Sequence, residues 1–275
     1  MKTAIVTGAS SGIGRAVATV LVARGYRVLG TSRDSSTVAD PVPGVDYRDL
    51  DLTDRGSIAR FIDALDGLAV DVLVNNAGES QCGPLEELPM DAVRRLFQLN
   101  VFGAVELTQL LLPGMRQQRR GRIVNIGSML ASFPLAYRSS YVATKAALEG
   151  FATAARYELR PYGIEITTVE PGSIATGLSG RRTKYISSDS PYAEQFTSAI
   201  AVLDAKEAQG ISADEVARTV LGAVEAERTL PLYAVGSNAA AVFLARRLLP
   251  RRVIEAVLAK TYGVGSARTR AAPQV

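Results

Sequence analysis

Histidine is absent from the chain. That excludes every Ser-His-Asp or Cys-His mechanism and any His-ligated metal site. Cysteine occurs once, as Cys82. A lone thiol forms no intramolecular disulfide and builds no thiolate zinc cluster, so no metal is expected and a reducing, cytoplasmic location is. Tryptophan is missing too, and no apolar run approaches the roughly 18 residues of a membrane-spanning helix. The chain starts Met1-Lys2 and passes at once into a strand-like run, which predicts no secretory leader. Acid–base chemistry, if present, must come from Tyr, Lys or a carboxylate.

What is there is ordinary in bulk: 275 residues, 47% hydrophobic and 21% charged, enough to bury a core without staples. The net charge of +4 is unevenly placed. From Arg246 onward seven Lys/Arg face Glu255 alone, a local +6, and the remainder carries −2. A body of that sign is not expected to bind nucleic acid. Short β-rich runs at 3–7, 27–31, 45–48, 71–75, 122–127, 165–170 and 230–235 alternate with helical patterns at 13–24, 54–65, 90–118, 140–161 and 212–226. The runs are nearly continuous in apolar character, as strands buried on both faces are. The alternation predicts an α/β fold, a doubly wound parallel sheet in a single domain over residues 1–263, with a flexible tail at 264–275. Residues 177–210 break the rhythm and are expected to form a substrate lid.

Three clusters carry chemistry. The first is Thr7-Gly8-Ala9-Ser10-Ser11-Gly12-Ile13-Gly14, placed between the first strand and the first helix. Glycines in a βα turn let the backbone approach a pyrophosphate resting on the helix N-terminus; a tight turn alone is the plainer alternative. The spacing is GxxxGxG rather than GxGxxG. The second is Ser32-Arg33 at the end of the second strand, 18 residues beyond Gly14. An acidic residue there would hold a ribose 2′-hydroxyl, whereas a small residue plus a guanidinium suits a 2′-phosphate. A solvated strand-end arginine is the alternative. The third is Tyr141 and Lys145, four apart on a predicted helix and therefore on one face, with Ser128 upstream just after a strand. Of the ten tyrosines only Tyr141 has a lysine four residues on. A phenol of pKa near 10 needs a shift worth about 4 kcal/mol to work near neutrality. An ammonium about 5 Å away supplies about 3 kcal/mol at an effective dielectric of 20.

With these residues in view the chain resembles the short-chain dehydrogenase/reductase family, standard-length subgroup. Matching pieces are the TGxxxGxG turn, Asp51 in Asp-Leu-Thr-Asp, Asn75-Asn76-Ala77-Gly78, Asn100, Ser128, the YxxxK pair and Pro171-Gly172-Ser173-Ile174-Ala175-Thr176. Residues 79–90 and 127–172 look most similar to steroid- and retinol-type members and their bacterial relatives. The resemblance implies an NADP(H)-dependent oxidoreductase passing hydride between nicotinamide and a carbonyl or secondary alcohol. Asn100, Ser128, Tyr141 and Lys145 would be the catalytic tetrad, with Asn100 anchoring a water that links Lys145 to solvent. The turn from Gly8 through Ser10, Ser11, Gly12 and Ile13 to Gly14 would cradle the pyrophosphate. Asp51, with Leu52 beside it, would bind adenine, and Asn75, Ala77 and Gly78 would lie against the adenosine and support the sheet. Pro171, Gly172, Ile174 and Thr176 would hold the carboxamide. Tyr141 and Lys145 would also touch the nicotinamide ribose.

Two departures from the family pattern matter. Gly127 stands before Ser128 where many relatives have a second Ser, and no basic residue lies in the glycine turn, so 2′-phosphate recognition would rest on Arg33. The later half of the lid carries Tyr185, Ile186, Tyr192, Phe196, Ile200 and Val202, which suits a bulky apolar ketone or alcohol such as a steroid, retinoid or polyketide. Small and apolar residues on several faces of helices 90–118 and 140–161 predict a homodimer or homotetramer. Residues 239–262 read as one basic amphipathic helix, either packed on its own domain or touching a membrane. Cys82 reads as an unreactive loop thiol. The competing functional reading is a cofactor-binding sensor without turnover, but such proteins usually lack the Tyr or the Lys.

Overall fold

The computed structural model describes residues 1–175, 177 and 179–265. Nine strands are described: β1 (Thr3–Val6), β2 (Arg27–Ser32), β3 (Val45–Asp49), β4 (Val72–Asn75), β5 (Gln81–Cys82), β6 (Gly121–Ile126), β7 (Ile164–Pro171), β8 (Thr183–Lys184) and β9 (Leu232–Val235). Seven of them form one parallel sheet in the order β3-β2-β1-β4-β6-β7-β9, and β5 pairs with β8 in a small second sheet. Strand interiors such as Ile5, Val6, Leu73 and Val124 are wholly buried, which explains why they read as continuous apolar runs.

The expected helices cover both faces. α1 (Gly12–Ala23) and α8 (Ala213–Glu225) pack together on one face through Val17 and Leu21 against Val216 and Val220. On the other face lie α2 (Arg55–Asp63), α4 (Gly103–Gln118) and α6 (Ser139–Leu159), burying Ile58, Leu107, Met115 and Ala152. The strand order reverses between β1 and β4, and there the crevice for a ligand opens at the carboxyl ends of the strands.

Three expectations are corrected. The helix expected over 90–118 is α3 (Met90–Phe97) and α4 joined by a π-helical turn at Gln98–Phe102. The wider turn faces Asn100 inward, and Gly103 next to it admits Leu52, whose carbonyl oxygen would lie 2.3 Å from an added Cβ. This segment is also long and apolar enough to cross a membrane by length and composition, which the sequence reading passed over; here its Leu107, Leu111 and Met115 pack on the sheet. Finally, residues 239–262 are not one helix. Pro250 cannot continue α9 (Ala239–Leu248), and α10 (Arg251–Tyr262) starts afresh behind it.

Candidate active site

A cavity of about 830 Å³ runs from the glycine turn, across the ends of β1, β4, β6 and β7, to the inner faces of α7 (Ala193–Ala208), α9 and α10. At one end α1 begins behind Ser11, whose side chain makes no capping bond. Its free N–H groups and positive dipole end therefore face the cavity, which Gly8, Ser10, Ser11, Gly12 and Ile13 line. Gly14 does not line it. An added Cβ there would sit 2.2 Å from the Gly8 carbonyl oxygen, so Gly14 serves the close approach of helix to turn. Asn76 ties the ends of β1 and β4 together: its backbone N–H donates to Thr7 Oγ1 and its amide to the Thr7 carbonyl.

Asp51 and Leu52 line the next stretch, and Asp51 is oriented by accepting from Thr53 N–H at 2.8 Å and Thr53 Oγ1 at 2.7 Å. Ser32 and Arg33 follow. The Arg33 guanidinium is three-quarters exposed and lies 3.8 Å from Glu79, which also binds Arg95. Arg181, from the segment expected to be a lid, donates to Ser11 Oγ at 3.2 Å and brings a cation to the turn that lacked one. Ala77, Gly78, Pro171, Gly172 and Ile174 line the cavity as expected, while Thr176 lies outside the described residues. Asn75 is corrected in part: it supports the sheet and does not line the cavity. Its amide points away, donating to Thr108 Oγ1 at 3.0 Å and Asn125 Oδ1 at 2.9 Å, because side chains alternate along β4. A helix dipole, a glycine cradle, a carboxylate and a strand-end guanidinium along one trough together fit a dinucleotide.

The groups able to exchange protons line the same cavity. Ser128 caps the short helix α5 (Met129–Ser132), accepting from Leu130 N–H at 3.2 Å. Tyr141 and Lys145 project from α6, and the Lys145 ammonium donates to the Ile126 carbonyl at 2.8 Å and lies 5.9 Å from the Tyr141 ring centre. Burial lowers the lysine pKa to about 8. Burial pushes the Tyr141 phenol up, opposed first by the Arg138 guanidinium and then by the Ser128 hydroxyl. Asn100 is buried and does not line the cavity. Its amide holds both ends of Glu79, donating to the carbonyl and accepting from the N–H, and donates to Thr144 Oγ1 at 3.2 Å. A Cβ added to Gly78 would lie 3.0 Å from Asn100 Oδ1 and 3.7 Å from Lys145 Nζ, which shows how closely these groups converge.

Sequence reasoning missed Arg138. It is 2% exposed, donates to the Gln81 carbonyl and Ser80 Oγ, and stacks over the Tyr141 ring at 4.5 Å. Position −3 from the tyrosine, at the cap of the helix that carries it, was its only signal. Behind it the fully buried Arg182 binds Asp204 at 2.5 Å and Glu207 at 2.6 Å, and burial raises the Glu207 carboxyl. The cavity's apolar walls were missed as well: Leu130, Phe133, Leu135, Leu203, Val242 and Leu258. The aromatic and aliphatic lid residues named from the sequence do not line it. Phe196 and Ile200 pack instead with Leu135 and Cys82, since a helix must bury one stripe against its own domain. Cys82 is a buried member of β5, and burial raises its thiol pKa, in keeping with an inert group.

Residues 2–186 match the family model described as short chain dehydrogenase. The chain is 34% identical over 94% of its length to the uncharacterized oxidoreductase YusZ of Bacillus subtilis, covering 98% of that protein. It is 35% identical over 68% of its length to retinol dehydrogenase 8 of Bos taurus, covering 63% of it. Among solved structures, a short chain dehydrogenase from Burkholderia cenocepacia in complex with NADP superposes with a TM-score of 0.74 at 25% identity, over 94% of this chain and 99% of that one.

Proposed function

From the premise that the chain belongs to the short-chain dehydrogenase family, a family of nicotinamide-dependent oxidoreductases, we propose that it is an NADP(H)-dependent carbonyl reductase and secondary-alcohol dehydrogenase. The observation that carries the reading is the convergence of Ser128, Tyr141 and Lys145 on one cavity whose other wall is apolar. Such walls suit a bulky apolar ketone, in line with the retinol dehydrogenase among its relatives. Ser32 leaves room beside Arg33 for a 2′-phosphate, and the NADP complex of the Burkholderia relative supports the same choice.

The cofactor, bound along the trough, would supply the hydride. Ser128 Oγ would donate to the substrate carbonyl and orient it. Tyr141 Oη would give its proton to the oxygen as the carbonyl carbon is reduced, leaving a tyrosinate that the cations of Lys145 and Arg138 stabilise. Lys145 would hold the ribose as well. Asn100 would act through position, fixing the loop after β4 against α6.

The test is consumption of NADPH over a panel of steroid, retinoid, polyketide-like and simple aryl ketones. Turnover confined to small charged keto acids would overturn the substrate class. Tyr141→Phe should abolish turnover and leave cofactor affinity nearly unchanged, whereas Lys145→Ala should damage both. A Tyr141→Phe enzyme keeping a tenth of the wild-type rate would remove Tyr141 as the acid.

A further inference from the structure

The basic C-terminal region turns out to have two apolar faces. Val242, Phe243, Ile254 and Leu258 face inward and pack with Met129 and Phe133, which accounts for the docking of α9 and α10 on their own domain. A second set has no such use. Leu244 and Leu248 lie four apart on α9, Val253 and Val257 four apart on α10, and Leu249 stands at the corner between them. All five are exposed among the described residues, Leu248 to 70% and Val257 to 57%, and none lines the cavity. Arg247, Arg251 and Arg252 are exposed along the same two helices. Among the described residues, Arg251 is the one of these three with an acidic partner, Glu255 on its own helix. Arg246 alone turns inward, donating to Ser132 Oγ at 2.8 Å and lying over the Phe133 ring.

We infer that this outer ridge of α9 and α10 docks on an anionic lipid surface. Exposed apolar side chains on helices where guanidinium groups outnumber carboxylates are what a negatively charged interface takes, the first entering the headgroup layer and the second meeting lipid phosphates. Pairing with a second copy about a two-fold axis would set each arginine cluster against its own image. The inner faces of the same helices wall the cavity, so docking would bring that wall to the phase in which an apolar ketone concentrates. This last consequence rests on the function proposed above; the docking surface does not.

The experiment is co-sedimentation of the full chain with vesicles of phosphatidylcholine alone and of phosphatidylcholine with phosphatidylglycerol. The wild type should partition onto the anionic vesicles, and less so at high salt. Arg247→Gln, Arg251→Gln and Arg252→Gln together should weaken partition by roughly a hundredfold, at about fivefold for each basic residue. Leu248→Glu with Val257→Glu should abolish it. Both variants should keep the wild-type melting temperature and NADPH affinity, since neither set touches the cavity. No partition, equal partition onto neutral vesicles, or an unchanged Leu248→Glu/Val257→Glu variant would overturn the inference. So would an apolar variant that instead splits a soluble oligomer in sedimentation velocity, because the occupant would then be another copy of the chain. Loss of ketone turnover with vesicle binding intact would count against the function alone.

Discussion

At the scale of single residues, two arginines are the ones whose surroundings make the proposed function testable. Arg33 is exposed and shares Glu79 with Arg95, so a 2′-phosphate must compete with a carboxylate already near it. Hydrogen bonds to a charged group are worth about 1.5–3 kcal/mol, and solvent screening favours the lower end. Arg33→Ala should therefore weaken NADPH binding by roughly tenfold, barely change NADH, and show a smaller effect at high salt; equal losses for the two cofactors, read by fluorescence titration, would place Arg33 in the fold instead. Arg138 acts on Tyr141 from 4.5 Å. The phenol is faced by Arg138 at the cap of its helix and Lys145 within it, by Ser128, and at longer range by Arg182 and Glu207. A cation favours the tyrosinate, so its removal raises the phenol pKa. Alcohol oxidation needs the tyrosinate, and the rising limb of its pH profile should move to higher pH in Arg138→Met and part of the way in Arg138→Lys. A purely structural Arg138 would lower the melting temperature and leave that limb in place.

At the scale of elements, β7 carries a liability. Glu170 is wholly buried, and burial, then the charge of Glu149, pushes its pKa up to about 8 against the opposing Ser132 hydroxyl and Arg246 guanidinium. Between the ordinary carboxyl range and pH 8 the folded chain holds a proton that the unfolded chain has released. Stability contributed by that protonated group is thus complete in acid and is lost as pH rises through about 8. Glu170→Gln should leave the melting temperature near pH 5 almost unchanged and raise it near pH 9 by roughly 5–10 °C. An equal change at both pH values would show that the carboxyl is not titrating. The strand ends at Pro171, which lines the cavity with Gly172 after it, so the test also reports how firmly that wall is held.

For the whole molecule, the faces not used by the sheet matter. Phe102 and Leu110 on the α4 side and Phe151 and Tyr157 on α6 are exposed, Tyr157 to 79%. Large apolar side chains on adjacent helices suit a partner copy. The expected outcome is a dimer or tetramer by light scattering at micromolar concentration, and Phe151→Glu with Tyr157→Glu should drive it to the 29.2 kDa monomer. A wild-type chain that already scatters as a monomer would contradict this.

The parallel sheet, its crossover helices and the identity of the glycine turn, Ser128, Tyr141 and Lys145 were legible because they rest on local pattern: continuous apolar runs, a turn that only glycine makes, and an i,i+4 pair on one helix. Asn100 was legible by type, but its placement was not, since a π-helical turn is set by how α3 and α4 fit against α6 and Leu52. Asn75 and Asn76 look alike in the sequence, and only the pleat of β4 decides which one faces the cavity. Arg138 stands only three residues from Tyr141, but its place over the ring is held by bonds to Ser80 and Gln81, more than fifty residues away. Arg181 at Ser11 and the walls from α7, α9 and α10 likewise join groups far apart in the chain, so no local rule could pair them. The C-terminal amphipathic pattern fixed which residues are apolar; the break at Pro250 and the docking of two helices decided which of them the domain buries and which it leaves outside.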